Sequence, residues 1–495
     1  MKDLRERTVR GGVAKVLAQG ANFAIRIGSL MILARLLDPK DFGLVGMVTA
    51  IIGLLNLFRD FGLSTATVQL VDVSDEQVST LFWINILVGT CLFALSILMA
   101  PFLASFYHEP RLTWVTVALA FGFVFNSAGV QHSARLQREM RFTILSIIDI
   151  FSQVISTAVG IVMALKGFGY WALVVMTLLA PLVGSICVWI AAGWVPKKPG
   201  SAVGIGPMLR FGGTVTLNGL VVYVAYNLEK VLLGKFWGAE TVGIYGRAYQ
   251  LSNIPTDNLN SSVGGVAFSA LSRLQHEPDR FRNCFLKIYS LILALTLPIT
   301  IVCALFAPDA IAVLLGPKWR DAAPILRLLS PTILAFAMIN PFSWLLFSLG
   351  MVARSLKIAL VIAPLVIAGY LIGLPYGPKG VATGYSVAMA LWVIPNIFWC
   401  IRDTTITFQD VISTLIRPLV SGITAAAVAF GAQMFYGDSH SHILRLALGT
   451  TVFGLVYVAM LLYALGQKEF YIDLVRILRG RSTLDGKAIA AAQVG

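Results

Sequence analysis

The sequence predicts an all-α polytopic membrane protein of about fourteen transmembrane helices, and three observations carry that prediction. Of its 495 residues, 57% are hydrophobic and only 13% are charged, with a mean hydropathy of +0.81, whereas a soluble domain carries about 25% charge. A soluble fold is excluded. The apolar residues also come in runs of about 20, the length that crosses a hydrocarbon core as helix, not in the alternating ten-residue segments of a barrel. Finally, the basic residues crowd onto every second connection between those runs.

The runs follow one another at about 13–37, 42–62, 80–105, 112–131, 143–165, 169–194 and 209–233, then 243–270, 285–307, 322–349, 355–374, 380–401, 411–436 and 443–465. The opening MKDLRERTVRGG has the basic character of a signal-peptide start. The apolar segment behind it, however, runs to about Leu37 and contains Arg26, so an uncleaved first helix is expected. The second and eighth runs are interrupted by charge. Asn340-Pro341 and Pro395-Asn396 should kink the tenth and twelfth helices, and Pro255 should break the backbone of the eighth. The stretch 195–208, with three prolines and three glycines, reads as a linker, and the polar tail from about 466 as a short surface helix.

Loop charge orients the chain. With the N-terminus in the cytoplasm, the inner connections and their flanks hold Lys2, Arg5, Arg7, Arg10, Arg135, Arg138, Arg141, Lys197, Lys198, Arg210, Arg273, Arg280, Arg282, Lys287, Arg354, Lys357, Arg402, Arg417, Lys468, Arg476, Arg479, Arg481 and Lys487, 23 in all. The outer ones hold 7: Lys40, Arg111, Lys166, Lys235, Lys318, Arg320 and Lys379. The positive-inside rule then places both termini in the cytoplasm. It also accounts for most of the net charge of +14 without a nucleic-acid partner.

An offset of 200 residues aligns LARLLDPKDFGLVG (33–46) with LGKFWGAETVGIYG (233–246), matching Leu33 with Leu233, Gly43 with Gly243 and Gly46 with Gly246, while Arg10 and Gly12 fall on Arg210 and Gly212. Two six-helix lobes of the same orientation, 1–194 and 209–401, are therefore expected. They are joined by a cytoplasmic linker at 195–208 and followed by two more helices in 402–465 and a cytoplasmic tail, 466–495.

Catalytic and nucleotide-binding signatures are missing: the sequence contains no GxxxxGK[ST], HExxH or GxSxG. The five cysteines are widely scattered, and His440 and His442 read as a solvated outer turn, not a metal site. What the chain offers instead is charge inside helices, where an ion costs on the order of 2.5–3.5 kcal/mol and so faces a cavity or a partner. Arg26 lies roughly 20 Å from the start of the first helix, near the midplane, with Asn22 one turn away on the same face. Arg59 and Asp60 stand in the second helix, and Asn218, Tyr223, Tyr226, Asn227, Glu229 and Lys230 in the seventh; Arg247 and Asp257 stand in the eighth. Snorkelling to the membrane surface is an alternative for Arg59 and Arg247. Asp149 and Gln153 read as an inter-helix polar pair.

The stretch VRGGVAKVLAQGANFAIRIGSLMILARLLDPKDFGLVGMVTAIIGLLNLFRDFGLSTATVQ, together with NLEKVLLGKFWGAETVGIYGRAYQLSNIP and SALSRLQ, resembles the polysaccharide transporter family. These are the Wzx-type lipid-linked oligosaccharide flippases, of the multidrug, oligosaccharidyl-lipid and polysaccharide exporter superfamily. The resemblance implies two six-helix lobes with two trailing helices, and alternating access around a cationic cavity. It further implies movement of an undecaprenyl-diphosphate-linked repeat unit across the bacterial inner membrane, driven by H+ or Na+, with no other cofactor. The family often has an aspartate where Glu229 stands. On this reading Arg26, Lys230, Arg59 and Arg247 are candidate diphosphate contacts. Asn22, Asn218, Tyr223, Tyr226 and Asn227 are candidate sugar contacts, and Asp60, Glu229 and Asp257 candidate ion-coupling acids. Expected partners are the lipid-linked substrate, membrane lipids and the polymerase and export machinery.

Two other readings compete. A multidrug or organic-cation antiporter of the same superfamily would meet its cargo with acids, against which Arg26 counts. A membrane-bound polysaccharide polymerase needs a sizeable extramembrane loop, and the outer connections here are about 16 residues or shorter. The charge split makes a direct prediction of topology: a cysteine introduced in the basic segment 132–142, at Glu139, will resist membrane-impermeant thiol reagents added outside intact cells. Strong labelling there would invert the assignment.

Overall fold

A computed structural model describes residues 20–59, 64, 67–68, 74–198, 206–436, 441–464 and 466, and every regular element among them is helical. Local chemistry sets the helix starts. After α1 (20–36), Asp38 caps α2 (Pro39–Asn56): proline occupies its first position, where a missing N–H costs nothing, and the Asp38 amide donates to the Asp41 carboxylate at 3.2 Å. Ser74 and Gln77 form a reciprocal capping box at the head of α3 (Asp75–Tyr107), which ends on His108 in the left-handed region. α4 (Arg111–Arg138), α5 (Phe142–Leu165) and α6 (Tyr170–Ala192) follow, the last closed by Gly193 at positive φ.

The helical run Gly206–Arg273 holds the seventh and eighth predicted helices without a loop between them. Gly238 alone leaves helical geometry, at φ 82° and ψ 177°, and divides the run into α7 before it and α8 after it. Such an angle suits a residue without Cβ. The sequence points instead to Pro255 as the break in α8, but the helix continues through it. Helix is likewise uninterrupted at Pro341 and Pro395. Beyond α9 (Pro278–Leu305) comes a short helix absent from the predicted set, α10 (Ala307–Leu314). The chain is completed by α11 (Ala322–Ser348), α12 (Val352–Gly373), α13 (Gly377–Ile401), α14 (Phe408–Tyr436) and α15 (His442–Ala459), which runs on as a π turn, Met460–Ala464. The predicted tail helix lies outside the described residues.

Nine helical runs among the described residues are long and apolar enough to cross a membrane, α12 and α13 counting together as Ala353–Ile401. Their outer faces suit lipid, for Leu98 on α3 and Ile190 on α6 are 75% and 77% exposed. Exposed leucine and isoleucine are stable against hydrocarbon, where polar backbone groups must be satisfied within the helix. The protein is a multi-pass membrane protein.

The chain packs into two compact units. The first takes Met1–Asn253 with Ile311–Leu329 and Met351–Trp392; the second takes Ile254–Ala310, Ser330–Gly350 and Val393–Gly495. In the second, α9, α14 and α15 enclose Leu297, Phe306, Ala425, Ala429 and Phe453, and the Tyr457 hydroxyl donates to the Ala294 carbonyl at 2.9 Å. Arg282 grips the Asp410 carboxylate with two nitrogens, Nε at 2.8 Å from Oδ2. His442, read from the sequence as part of a solvated turn, instead begins α15, with Nδ1 2.7 Å from the buried Asp309 carboxylate. A capping serine, Ser441, holds it there; His440 lies outside the described residues.

The first unit is organised by a close crossing of α2 and α8. A Cβ on Gly43 would run into the carbonyl of Ala239, and one on Gly243 into that of Pro39, so the two contacts exchange under the 200-residue offset. The same offset relates Arg35, whose guanidinium donates to the Val313 carbonyl at 2.8 Å, to Lys235, whose ammonium donates to the Phe106 carbonyl at 2.7 Å. Trp319, fully buried, donates its indole N–H to the Ala34 carbonyl at 2.8 Å and fixes the turn between α1 and α2. Overpacking of this kind costs about 1–3 kcal/mol or more. Gly43→Val should therefore lower the melting temperature of the purified protein by several degrees, whereas Gly246→Ala, whose Cβ would meet nothing within 4 Å, should leave it unchanged. Equal melting temperatures for the two variants would show that the crossing does not govern stability.

Candidate functional site

Within the first unit lies a cavity of about 810 Å³. One side is built by α1, α2 and α8. Asn22, Arg26 and Ser29 project from α1 at helical spacing, Phe42 from α2, Arg59 from the turn after α2, and Arg247 and Gln250 from α8. The shared face of Asn22 and Arg26 follows from their four-residue separation. The Ser29 hydroxyl donates to the Arg26 backbone carbonyl at 3.0 Å, and both residues line the cavity.

Arg247 does not snorkel. Its guanidinium lies 4.3 Å from the centre of the Phe42 ring and donates to the Gln250 side-chain oxygen. A cation over an aromatic face gains about 0.5–2 kcal/mol, more where water is excluded. Phe42 is itself held edge-on by Trp319, 5.3 Å between ring centres. Since Phe42 and Arg247 stand one residue before Gly43 and one turn after Gly243, the close crossing of α2 and α8 sets their contact.

The other side comes from α4, α5 and α6. Asn126, Ser133 and Gln137 line it from α4, Asp149, Ser152 and Gln153 from α5, and Ser185 from α6. Asp149 and Gln153, expected from the sequence to join helices to one another, instead face this cavity; Gln153 Nε2 donates weakly to Thr157 on its own helix at 3.4 Å. Asn126, Ser133 and Gln137 belong to the polar C-terminal half of α4, which also carries Ser127, Gln131, His132 and Arg135.

Four of the expected site residues, Asn22, Arg26, Arg59 and Arg247, thus meet in one cavity. Among the described residues, those expected on α7 do not line it. Tyr223 donates its hydroxyl to the Ala50 carbonyl at 2.9 Å, tying α7 to α2 where Gly53 makes room for it. Lys230 donates to the Asn227 side-chain oxygen at 2.8 Å and lies 5.8 Å from the Tyr249 ring; Tyr226 packs edge-on to Tyr385. Glu229 is completely buried, both carboxyl oxygens lacking a hydrogen-bond partner, and its electrostatic neighbours include Tyr245, Tyr249 and Tyr370 from α8 and α12. The Tyr245 and Tyr370 hydroxyls are also buried without a partner. Asp257 is an exposed residue of the second unit. Asp60 lies outside the described residues, as does the side chain of Asn218.

The arrangement can hold a polyanion and a polyhydroxylated group together: guanidinium groups bind phosphate or carboxylate oxygens in a two-pronged way, and amides and hydroxyls on the facing side both donate and accept.

Comparison with known proteins agrees with the architecture. The chain is similar to the lipopolysaccharide biosynthesis protein WzxC of Escherichia coli (strain K12), 25% identical over 438 residues and covering 86% of this chain and 88% of that protein. It is 27% identical over 447 residues to the teichuronic acid biosynthesis protein TuaB of Bacillus subtilis (strain 168), covering 83% and 86%. Among solved structures, the lipid II flippase MurJ in an inward closed conformation shares its fold with a TM-score of 0.74 at 13% identity, over 94% of this chain and all of that one. An inward-facing multidrug resistance MATE transporter does so at 0.61 and 14% identity, over 81% and 98%. The sequence pattern of the polysaccharide biosynthesis protein family matches residues 32–324, well over half of the length, and the chain belongs to that family.

Proposed function

We propose that the protein is a flippase that carries an undecaprenyl-diphosphate-linked oligosaccharide repeat unit across the bacterial inner membrane, for exopolysaccharide or lipopolysaccharide synthesis. The single observation that supports this most is the convergence of Arg26, Arg59 and Arg247 on one cavity of a membrane protein. A diphosphate is the cargo such a set suits, because charge-assisted hydrogen bonds to its oxygens offset the cost of holding cations away from bulk water. The family membership, and relatives named for lipopolysaccharide and teichuronic acid biosynthesis, point the same way. An organic-cation antiporter would have to take its cargo past three guanidinium groups.

In this reading fourteen helices cross the membrane with both termini in the cytoplasm, and the cavity opens to each side in turn. Arg26 and Arg59 hold the diphosphate, and Arg247 leaves Phe42 to join them. Glu229 carries the coupling ion, H+ or Na+, in a place apart from the cavity lining. Delivery to a polymerase follows on the outer face.

Hydrogen bonds to charged groups are worth about 1.5–3 kcal/mol, so Arg26→Ala should weaken binding of the diphosphate roughly tenfold or more and abolish polysaccharide export while the protein stays in the membrane. Arg26→Lys, which keeps charge but not two-pronged geometry, should retain part of the export. Normal export by the alanine variant at matched expression would remove Arg26 from the mechanism. For Glu229→Gln the expectation differs: lipid diphosphate binding is kept and gradient-driven transport into vesicles is lost. Transport at the wild-type rate by that variant would dismiss Glu229 as the coupling residue.

A further inference from the structure

The cavity draws its opposite charges from separate elements. All three arginines belong to α1, α8 and the turn after α2, whereas α4, α5 and α6 contribute amides, hydroxyls and Asp149. Asp149 is the sole carboxylate among the described lining residues. It is exposed to the cavity and makes no ion pair or hydrogen bond with a described residue. An acid that served only to neutralise the arginines would stand against them, as Asp410 stands against Arg282 in the other unit. Asp149 stands instead on α5, one turn before Gln153, in a lining to which α4 adds Asn126 and Gln137.

That grouping has a chemical meaning. A carboxylate that shares a cavity lining with amides accepts hydrogen bonds from a ligand's hydroxyls, and the amides supply donors for ring and linkage oxygens. The same carboxylate repels a second carboxylate brought alongside it. The cavity, about 810 Å³, is within the range of about 300–1,000 Å³ that encloses a compact ligand. It therefore has room for a diphosphate together with the sugar attached to it, and that sugar would meet the α4 and α5 side.

We propose that Asn126, Gln137, Asp149 and Gln153 form a sugar subsite that takes a neutral sugar next to the diphosphate and rejects an acidic one. The proposal rests on the flippase reading and adds the class of the first sugar. Asp149 is the selecting group, since it alone treats a hydroxyl and a carboxylate oppositely. Gln153 is the supporting contact, its side-chain oxygen left over from the bond to Thr157.

The test measures binding to the full-length protein in detergent micelles. Three synthetic probes share one short polyprenyl diphosphate: the bare lipid, the lipid bearing glucose, and the lipid bearing glucuronic acid. For the wild type, the glucosyl lipid should bind about tenfold more tightly than the bare diphosphate, and the glucuronosyl lipid at least about tenfold more weakly than the glucosyl one, as like charges placed together are strongly disfavoured. Asp149→Asn should erase the difference between the two sugars and should not weaken binding of the bare diphosphate. Gln153→Ala should reduce the gain from glucose alone. Equal binding of the two sugars by the wild type, or discrimination that survives Asp149→Asn, would overturn the proposal, and the wild-type ratio decides it even if the variant fails to fold. Failure of all three lipids to bind would instead sink the flippase reading, and this proposal with it.

Discussion

The close approach of α2 and α8 is the constraint on which the first unit depends. Two backbones can come this near only where neither carries a side chain, and Gly43 and Gly243 supply that on both helices at once. The crossing then determines what lies beside it. Phe42, adjacent to Gly43, and Arg247, one turn beyond Gly243, are brought into a cation–aromatic contact at the cavity boundary. A larger residue at either glycine would separate the helices and with them the ring and the guanidinium. Packing and electrostatics are thus a single feature here.

Much of this was legible in the chain, because apolar periodicity reports burial or lipid contact and, among the described residues, each of the fourteen apolar runs falls on a helix. The 200-residue offset was legible too, since Gly43 and Gly243 occupy equivalent contacts. What stayed hidden was the manner of connection. Gly238 reads as an ordinary loop residue until the helices on either side are seen to run up to it, whereas Pro255 reads as a breaker although the lost hydrogen bond did not interrupt the helix. α10 is only eight residues long, too short for a periodic signal. Its place is set by distant residues, Arg35 on one carbonyl and His442 with Arg445 around Asp309.

The site was legible in a different proportion. Cations inside helices announce themselves, since only a cavity or a partner offsets their cost in an apolar setting, and Arg26, Arg59 and Arg247 do meet. The polar side of the cavity was not foreseen, because a single amide or acid in a helix is equally suited to joining a neighbouring helix. Only the three-dimensional surroundings of Asp149 and Gln153 separate those uses, and sequence spacing holds no information about them. Tyr223 is the reverse case: a tyrosine near polar residues suggests a sugar contact, yet its hydroxyl is taken up by the Ala50 carbonyl.

A transporter's cavity must be tolerable when empty as well as attractive when filled. Arg247 meets the first need within the chain, because the Phe42 ring and the Gln250 side-chain oxygen hold its guanidinium. The cation–aromatic contact is worth about 0.5–2 kcal/mol and the bond to Gln250, a hydrogen bond to a charged group, roughly 1.5–3 kcal/mol, so on the proposed reading the diphosphate displaces them by offering several bonds of the second kind at once. A resident carboxylate against each arginine would instead compete with the ligand for every one of them. Asp149, the single carboxylate among the described lining residues, stands on α5 and not on the helices that carry Arg26 and Arg247, and the resting contact of Arg247 with Phe42 joins the cavity wall to the α2–α8 crossing.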